Sequence, residues 1–384
     1  MEEGREARLR LAIVGLGRGA ALTAPGLIAH SRIELIAGCD PNADAREAFT
    51  AKTGLSATGD FADLLSDAQI NAIYVASPHE YHAEHAIAAA RAGKHVLVEK
   101  PMALRLGEAR DMVTAADQVG VTLMVGPSHG YDPPVALAAE LAWKAGGARL
   151  IHTVAFTDFL YRPRRASELA RSTGGGVVFS QASHQIDMAR VIAGAPITFV
   201  RARLGEWDSR ASDGAYAALL GFANGATASI TYSGHSRYDN DDGIGEMGRP
   251  KPAATHSRTR AALATGGENS AKKARGFAAG LAGPAPYHER LGRTIVCCPD
   301  ADLELTSEGV IVHDERGSTL HFAPLAPAPR YHVAECFVRA VLDRETPGFD
   351  GHWGLATLAA CHAIVRSAEG DSDERPDDLI TEMT

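Results

Sequence analysis

The residues best suited to chemistry stand at a sharp break in the chain, Gly93–Met102, GKHVLVEKPM. His95-Val-Leu-Val reads as a buried strand that delivers Glu99, Lys100 and Pro101 at its end. Pro101 has no N–H and cannot continue a ladder. In an open parallel α/β sheet, chemistry sits just beyond the carboxyl ends of strands, so Lys100 stands where a ligand would be. An ion pair with Glu99 at a surface turn is the competing reading. A second candidate is His184, in Ser180-Gln-Ala182-Ser-His184-Gln-Ile-Asp187. Residues four apart share a helix face, so Ser180 and His184 are expected to look the same way. A third is the basic run Tyr161-Arg162-Pro-Arg164-Arg165. Arginine forks bind carboxylates through paired hydrogen bonds, although a solvated loop can have the same composition.

The elements that must position these groups begin with Leu9–Val14, an apolar run followed at once by Gly15-Leu-Gly17-Arg18-Gly19-Ala20. The first two glycines let the turn tighten and let backbone N–H groups approach a pyrophosphate. Ala20 is small enough for close helix–strand packing, the job of a third glycine. A second strand, Ile33–Cys39, ends at Asp40, roughly 25 residues after Gly15, the distance expected of an acid that binds a ribose 2′-hydroxyl. No arginine adjoins Asp40 in sequence to receive a 2′-phosphate, so NAD is expected rather than NADP. Asp40 as a helix N-cap is the plainer alternative, but it leaves the glycines unexplained. The strand Asn71–Ala76 ends in Ser77-Pro78-His79-Glu80-Tyr81-His82, a proline-broken turn. His79, His82 and His85 share a helical face, but no carboxylate or cysteine completes a metal set, and none is expected.

Helical stretches at 21–29, 45–53, 61–65, 81–92 and 106–118 alternate with these strands and with Val121–Val125. That alternation predicts a doubly wound parallel sheet over residues 1–130. A helix at 135–145 follows Asp132-Pro133-Pro134. The pattern then becomes β-rich, with strands at 150–156, 197–204, 215–222, 226–232, 293–297, 309–313 and 319–322. Short turns between them predict an antiparallel sheet over 131–384. A helix at 178–193, entered through Gly174-Gly175-Gly176, interrupts that sheet. Helices at 331–343 and 354–368 close the chain and are placed to pack back on the first domain. Residues 237–287 read as a partly mobile insertion in the sheet domain, a lid or an oligomer arm. The tail from Gly370 is acidic and expected to fray.

Composition bounds the function. The chain has 384 residues, enough for two domains, and 45% of them are hydrophobic, enough for sizeable cores. A net charge of −9 argues against binding a nucleic-acid backbone. Five scattered cysteines with no CxxC suit a reducing compartment. No apolar run reaches the roughly 18 residues of a membrane span, and MEEGREAR lacks a signal-peptide core. A cytoplasmic protein with no membrane partner is expected.

Taken together, the glycine turn, the Ser77–His82 turn, Glu99-Lys100-Pro101, the GGG…His…Asp segment and the closing helices resemble the Gfo/Idh/MocA oxidoreductase family. The resemblance runs from Arg8 to about Glu369. It implies an α/β plus α+β architecture. An N-terminal Rossmann domain would precede a C-terminal domain built on an open, mainly antiparallel sheet that serves a homodimer or homotetramer. It implies hydride transfer with a bound nicotinamide. Gly15, Gly17, Arg18, Gly19, Ala20, Asp40, Ser77, Pro78, His79, His82 and Glu99 would hold the cofactor. Lys100 would reach the reacting oxygen, with the Lys100–Pro101 bond open to being cis. The family's helix reads Asp-x-Gly-x-His-x-x-Asp; here Ser180 replaces the first aspartate, so proton transfer falls to His184 while Lys100 polarises the oxygen. The resemblance places Tyr161, Arg162, Arg164, Arg165, Ser180 and Asp187 beside the substrate.

Within the family, TDFLYRPRR, GGGVVFSQASHQID and GHWGLATL resemble the phthalate dihydrodiol dehydrogenase subgroup. That implies an anionic cis-dihydrodiol oxidised to a catechol. A sugar or cyclitol dehydrogenase, with a neutral polyol as substrate, and a non-catalytic NAD-binding redox sensor are the alternatives.

Overall fold

The computed structural model describes residues 7–207, 212–241, 243–250, 261, 268–273 and 276–382. They form two compact units. The first takes in the described residues of Met1–Pro127, Ser270–Pro284 and Ala326–Leu355. Its sheet has six strands: β1 (Leu9–Val14), β2 (Ile33–Cys39), β3 (Ser56–Thr58), β4 (Ala72–Val75), β5 (His95–Val98) and β6 (Leu123–Val125). Their order is β3-β2-β1-β4-β5-β6, and every neighbouring pair is parallel. The strand order reverses at β1 and β4, the two strands followed by the glycine turn and the Ser77 turn. Crevices of this kind, at the carboxyl ends of a doubly wound sheet, take ligands.

Apolar runs buried on both faces explain the strands: every residue of β4 is buried, and three of the four in β5. The strand β3 escapes sequence reading because three small and hydroxyl residues carry no apolar run. Helices α1 (Arg18–Ala29), α2 (Ala43–Thr53), α3 (Phe61–Ser66), α4 (His82–Arg91) and α5 (Leu106–Val119) fill the connections. Asn42 and Asp60 cap α2 and α3 through their side chains, and Gly54 and Gly120 end α2 and α5 in the left-handed conformation.

The second unit takes in the described residues of Ser128–Asn269, Ala285–Leu325 and Ala356–Thr384. After α6 (Pro133–Lys144) come β7 (Leu150–Phe156), a π-helical turn (Val178–Ala182) and α7 (Ser183–Ala193). The chain continues through β8 (Ile197–Trp207), β9 (Ser212–Phe222), β10 (Thr227–Ser233), β11 (Arg293–Cys297), β12 (Asp302–Leu305), β13 (Gly309–Asp314) and β14 (Gly317–Phe322). The eight strands run β14-β13-β12-β11-β7-β10-β9-β8. All neighbours are antiparallel except β7 and β10, which pair in parallel. Alternate residues of β10 are buried, so the sheet has one covered face. Gln185 of α7 pins that cover: its amide nitrogen donates to Thr153 Oγ1 (3.1 Å) and Thr231 O (3.2 Å), and it accepts from the Tyr216 hydroxyl (2.5 Å).

Two expectations are corrected. The acidic tail is not frayed over its described part. Glu374 exchanges both backbone hydrogen bonds with Val200, and Pro376–Thr381 forms a terminal helix. The 237–287 stretch is not simply an insertion in the sheet domain. Asn240 bonds Val154 and Phe156 of the second unit, while Phe277, 1% exposed, packs edge-on against Phe49 within the first. Much of the remainder lies outside the described residues.

One closing helix, α8 (Tyr331–Leu342), belongs to the first unit and meets α1 there. His30 stacks on Tyr331 at 5.2 Å, and Arg32 holds Asp343 with two hydrogen bonds of 2.8 and 2.9 Å. The contact is closest at Gly26, where a Cβ would lie 2.6 Å from the main chain of Pro329 and Arg330. A Gly26→Ala replacement should therefore cost about 1–3 kcal/mol, read as a lower Tm. Gly348→Ala, where a Cβ meets nothing within 4 Å, should be nearly neutral. Equal melting of the two variants would contradict this packing.

Candidate active site

The first unit builds a turn suited to a dinucleotide. Gly15 has φ +88°, and a Cβ on it would lie 2.4 Å from Ser77 N, so the first turn presses directly on the second. Only glycine tolerates both conditions. A Cβ on Gly17 would meet nothing within 4 Å, and α1 begins there with no capping side chain and no acid in its first turn. Backbone N–H groups at such a start favour a phosphate. Asp40 Oδ2 accepts from Leu16 N–H (2.8 Å) and Oδ1 from Asn42 N–H (2.9 Å), which orients the carboxylate and leaves lone pairs for ribose hydroxyls. These residues fit a nicotinamide dinucleotide. Sequence reading missed Arg46, whose Nη1 donates to the carbonyls of Asp40 (2.8 Å) and Pro41 (3.0 Å) from one turn inside α2.

At the end of β5, the Lys100–Pro101 peptide is cis. Glu99 Oε1 accepts from the buried Tyr74 hydroxyl (2.6 Å), and that hydroxyl lies 3.0 Å from Thr23 Oγ1. Burial pushes the Glu99 carboxyl up, against its hydrogen bond from Tyr74 and the nearby charges of Lys100 and Arg330. The same carboxylate would lie 3.1 Å from a Cβ on Gly19, so it abuts the start of α1.

His82 does not reach a cofactor. It is 0% exposed, with Nδ1 2.8 Å from Pro101 O and Nε2 2.9 Å from Ser77 O. The two carbonyls favour an imidazolium, but burial outweighs them and holds the pKa below the ordinary histidine value. The side chain straps the two turns together. Ser77 itself bonds His85 through its hydroxyl (3.0 Å), and the His79 ring stands edge-on to His82. Among the described residues, no three His, Cys, Asp or Glu side chains are grouped to hold a metal.

In the second unit, His184 is 6% exposed and its Nδ1 accepts from the main-chain N–H of His129 (3.2 Å). A neutral ring bonded this way carries its proton on Nε2. The His129 ring stands edge-on to His184 at 4.8 Å, and its Nδ1 is 2.5 Å from Asp132 Oδ2. Sequence reading missed both His129 and Asp132. The signal was a His-x-x-Asp spacing shortly after β6, read only as punctuation before a helix. Ser180 does not simply face the same way as His184. It sits in the π-helical turn, and its hydroxyl donates back to Gly176 O (2.7 Å). The Thr357 hydroxyl donates to Asp187 (2.6 Å) and accepts from Arg190 (2.6 Å), ties that hold α7 to the helix Gly351–Gly370.

The three loop arginines diverge. Arg162 Nε donates to the buried Asp158 (3.1 Å), Arg164 lies 3.6 Å over the Phe159 ring, and the Arg165 N–H donates to Glu168 (2.7 Å). Arg162 and Arg164 act together on the Tyr232 hydroxyl, which burial nevertheless pushes up to about 12. Arg162 also faces Asp241, raised to about 6 by burial. The Tyr161 N–H donates to Asp158 O within the same turn.

Comparison with known proteins places this geometry. Residues 9–127 match the Gfo/Idh/MocA oxidoreductase model, an NAD-binding Rossmann fold, and residues 144–253 match that family's C-terminal domain. The 1-carboxy-3-chloro-3,4-dihydroxycyclohexa-1,5-diene dehydrogenase of Comamonas testosteroni is 36% identical over 94% of this chain and 95% of its own. The chain belongs to the Gfo/Idh/MocA oxidoreductase family. It is an NAD-binding oxidoreductase. A crystal structure of a putative dehydrogenase from Bordetella bronchiseptica is 34% identical and superposes with a TM-score of 0.90 over 96% of this chain and 100% of that one. The scyllo-inositol 2-dehydrogenase of Bacillus subtilis is 30% identical over 51% of this chain and 57% of its own. No described helix of this family member is long and apolar enough to cross a membrane.

Two measurements check the first unit's chemistry. Asp40→Ser removes the carboxylate while Arg46 remains, so the preference for NAD over NADP should fall by about tenfold or more in Kd, the worth of one to two hydrogen bonds. An unchanged ratio would remove Asp40 from the ribose. Burial also holds His82, His85 and His95 below the ordinary value. Near that value the unfolded chain binds protons that the folded chain refuses, so stability rises with pH there. Tm should drop as pH is lowered from about 7.5 to about 5.5; a flat profile would mean these rings are not buried neutral.

Proposed function

We propose that this oxidoreductase converts a carboxylated cis-dihydrodiol, of the 4,5-dihydro-4,5-dihydroxyphthalate type, to the corresponding catechol. The observation that carries the reading is the likeness, across nearly the whole chain, to a dehydrogenase named for a carboxylated dihydroxycyclohexadiene. Arg162 and Arg164 support it, as half-buried guanidiniums with the planar geometry that carboxylates require.

NAD, when bound, supplies the hydride acceptor. The chain's own residues do the rest. The glycine turn and Asp40 hold the dinucleotide, and Glu99 and Ser77 shape the turns beside it. Lys100 places an ammonium at the reacting oxygen and stabilises charge that develops there. His184 presents its Nε2–H to the substrate hydroxyl and orients it. Loss of hydride from the carbinol carbon gives a ketone that enolises to the aromatic ring, which makes the overall step strongly downhill. A small anionic cyclohexadiene diol follows as the substrate, and the open sheet is a candidate surface for self-association. A cyclitol or sugar dehydrogenase is the second reading, favoured by the scyllo-inositol relative over half of the chain.

The test is NADH formation with the cis-4,5-dihydrodiol of phthalate and the cis-3,4-dihydrodiol of benzoate, beside scyllo-inositol and levoglucosan. Turnover of the carboxylated diols is expected. Arg162→Ala and Arg164→Ala should each raise KM about tenfold for them, as the loss of a charge-assisted hydrogen bond requires. Lys100→Met should lower kcat by about 10²–10³ with the NAD Kd nearly unchanged. Faster turnover of the neutral polyols, with both arginine variants silent, would replace this reading with the second.

A further inference from the structure

Serine at position 180 leaves α7 without the carboxylate that the family pattern puts one turn before the histidine. The same unit holds a carboxylate–imidazole pair elsewhere. Asp132 occupies the N-cap of α6, yet its side chain makes no capping bond, and Pro133 removes a donor at the first helical position. The carboxylate turns instead to His129 Nδ1, 2.5 Å away. His129 in turn gives its main-chain N–H to His184 Nδ1, and the two rings meet edge to face at 4.8 Å. Among the described residues, none bonds His129 Nε2.

Each contact fixes a tautomer. A carboxylate on Nδ1 keeps the His129 proton there and leaves a lone pair on Nε2. The backbone N–H on His184 Nδ1 does the reverse and leaves a proton on Nε2. Two adjacent rings therefore present a donor and an acceptor. We propose that His129, held by Asp132, is the proton acceptor of the reaction, and that His184 is the donor beside it that orients the substrate hydroxyl.

The step balances. The O–H bond breaks, its proton passes to His129 Nε2, and the O–H electron pair forms the second C–O bond as hydride leaves the same carbon, which a bound nicotinamide would accept. The imidazolium so formed faces the Asp132 carboxylate, which offsets its charge. Asp132 thus supplies, through an imidazole, the negative charge that Ser180 does not.

This inference rests on the proposed function, and its test separates the two. With the cis-dihydrodiols, His129→Gln and Asp132→Asn should lower kcat about 10²–10⁴-fold, the range of general acid–base catalysis, with KM and the NAD Kd within about threefold. Side-chain ¹⁵N NMR of the unliganded protein should show the proton on Nδ1 of His129 and on Nε2 of His184. In the wild type with NADH, 3,4-dihydroxybenzoate should shift the His129 Nε2 resonance. Both variants keeping kcat within about threefold would overturn the assignment. If the wild type turns over no diol, the proposed function fails. The NMR arm then still decides this inference, as it does if the variants do not fold. A His129 proton on Nε2, or a resonance that ignores the probe, overturns it.

Discussion

One buried imidazole sets the geometry of the first unit. His82 faces two main-chain carbonyls, Ser77 O at 2.9 Å and Pro101 O at 2.8 Å, that follow adjacent parallel strands. Carbonyls at such positions are past the end of the ladder and still enclosed, so each needs a partner. One rigid ring set between both carbonyls, its single N–H serving one of them at a time, fixes the distance between the turn after β4 and the turn after β5. Gly15 then presses on Ser77 with no room for a Cβ. The pyrophosphate turn, the proline turn and the lysine turn are thereby referenced to one another through a single side chain. Lys100 is placed by this chain of contacts as much as by its own strand.

Most of the first unit was legible because its strands are apolar runs with breaks at both ends. The segments Leu9–Val14 and Ile33–Cys39 emerge with the limits expected. What failed was what periodicity does not encode. The strand β3 carries no apolar run and β12 is only four residues long, and each pairs with a neighbouring strand through its backbone. The parallel pairing of β7 with β10 is likewise hidden, since strands about 75 residues apart carry no local sign of direction. The acidic tail looked soluble and loose, but the backbone of Glu374 pairs with Val200 whatever the charge of the side chains around it.

The site was legible where a residue type is forced and obscure where only direction matters. Glycine at 15, an acid at 40 and a lysine before a proline are choices that few other residues could satisfy. His82 was misread because a sequence shows that a histidine follows a turn, not whether its ring points out or back under the strands. The arginines show the same limit. Their positive charge is visible in the sequence, whereas the partners Asp158, Phe159 and Glu168 that divide them appear only when the loop is folded. Arg46 was missed for the opposite reason. It is six residues from Asp40 in sequence, and the first turn of α2 brings it back to the Asp40 carbonyl.

Ser180 is consistent with its surroundings in a way that bears on where acidity was moved. The π-helical turn points the position toward Gly176 O, and a hydroxyl can donate to that carbonyl. A carboxylate in the same rotamer has no proton to give and would set two acceptors against each other. The turn therefore favours serine locally, at the expense of a charge that the family pattern places there. Asp132 avoids that conflict. It lies at the start of α6, where the helix dipole favours a negative charge, and its partner is an imidazole N–H rather than a carbonyl. Because His129 bonds His184 through its main chain and Asp132 through its ring, this one residue couples the relocated charge to the histidine that the family pattern retains.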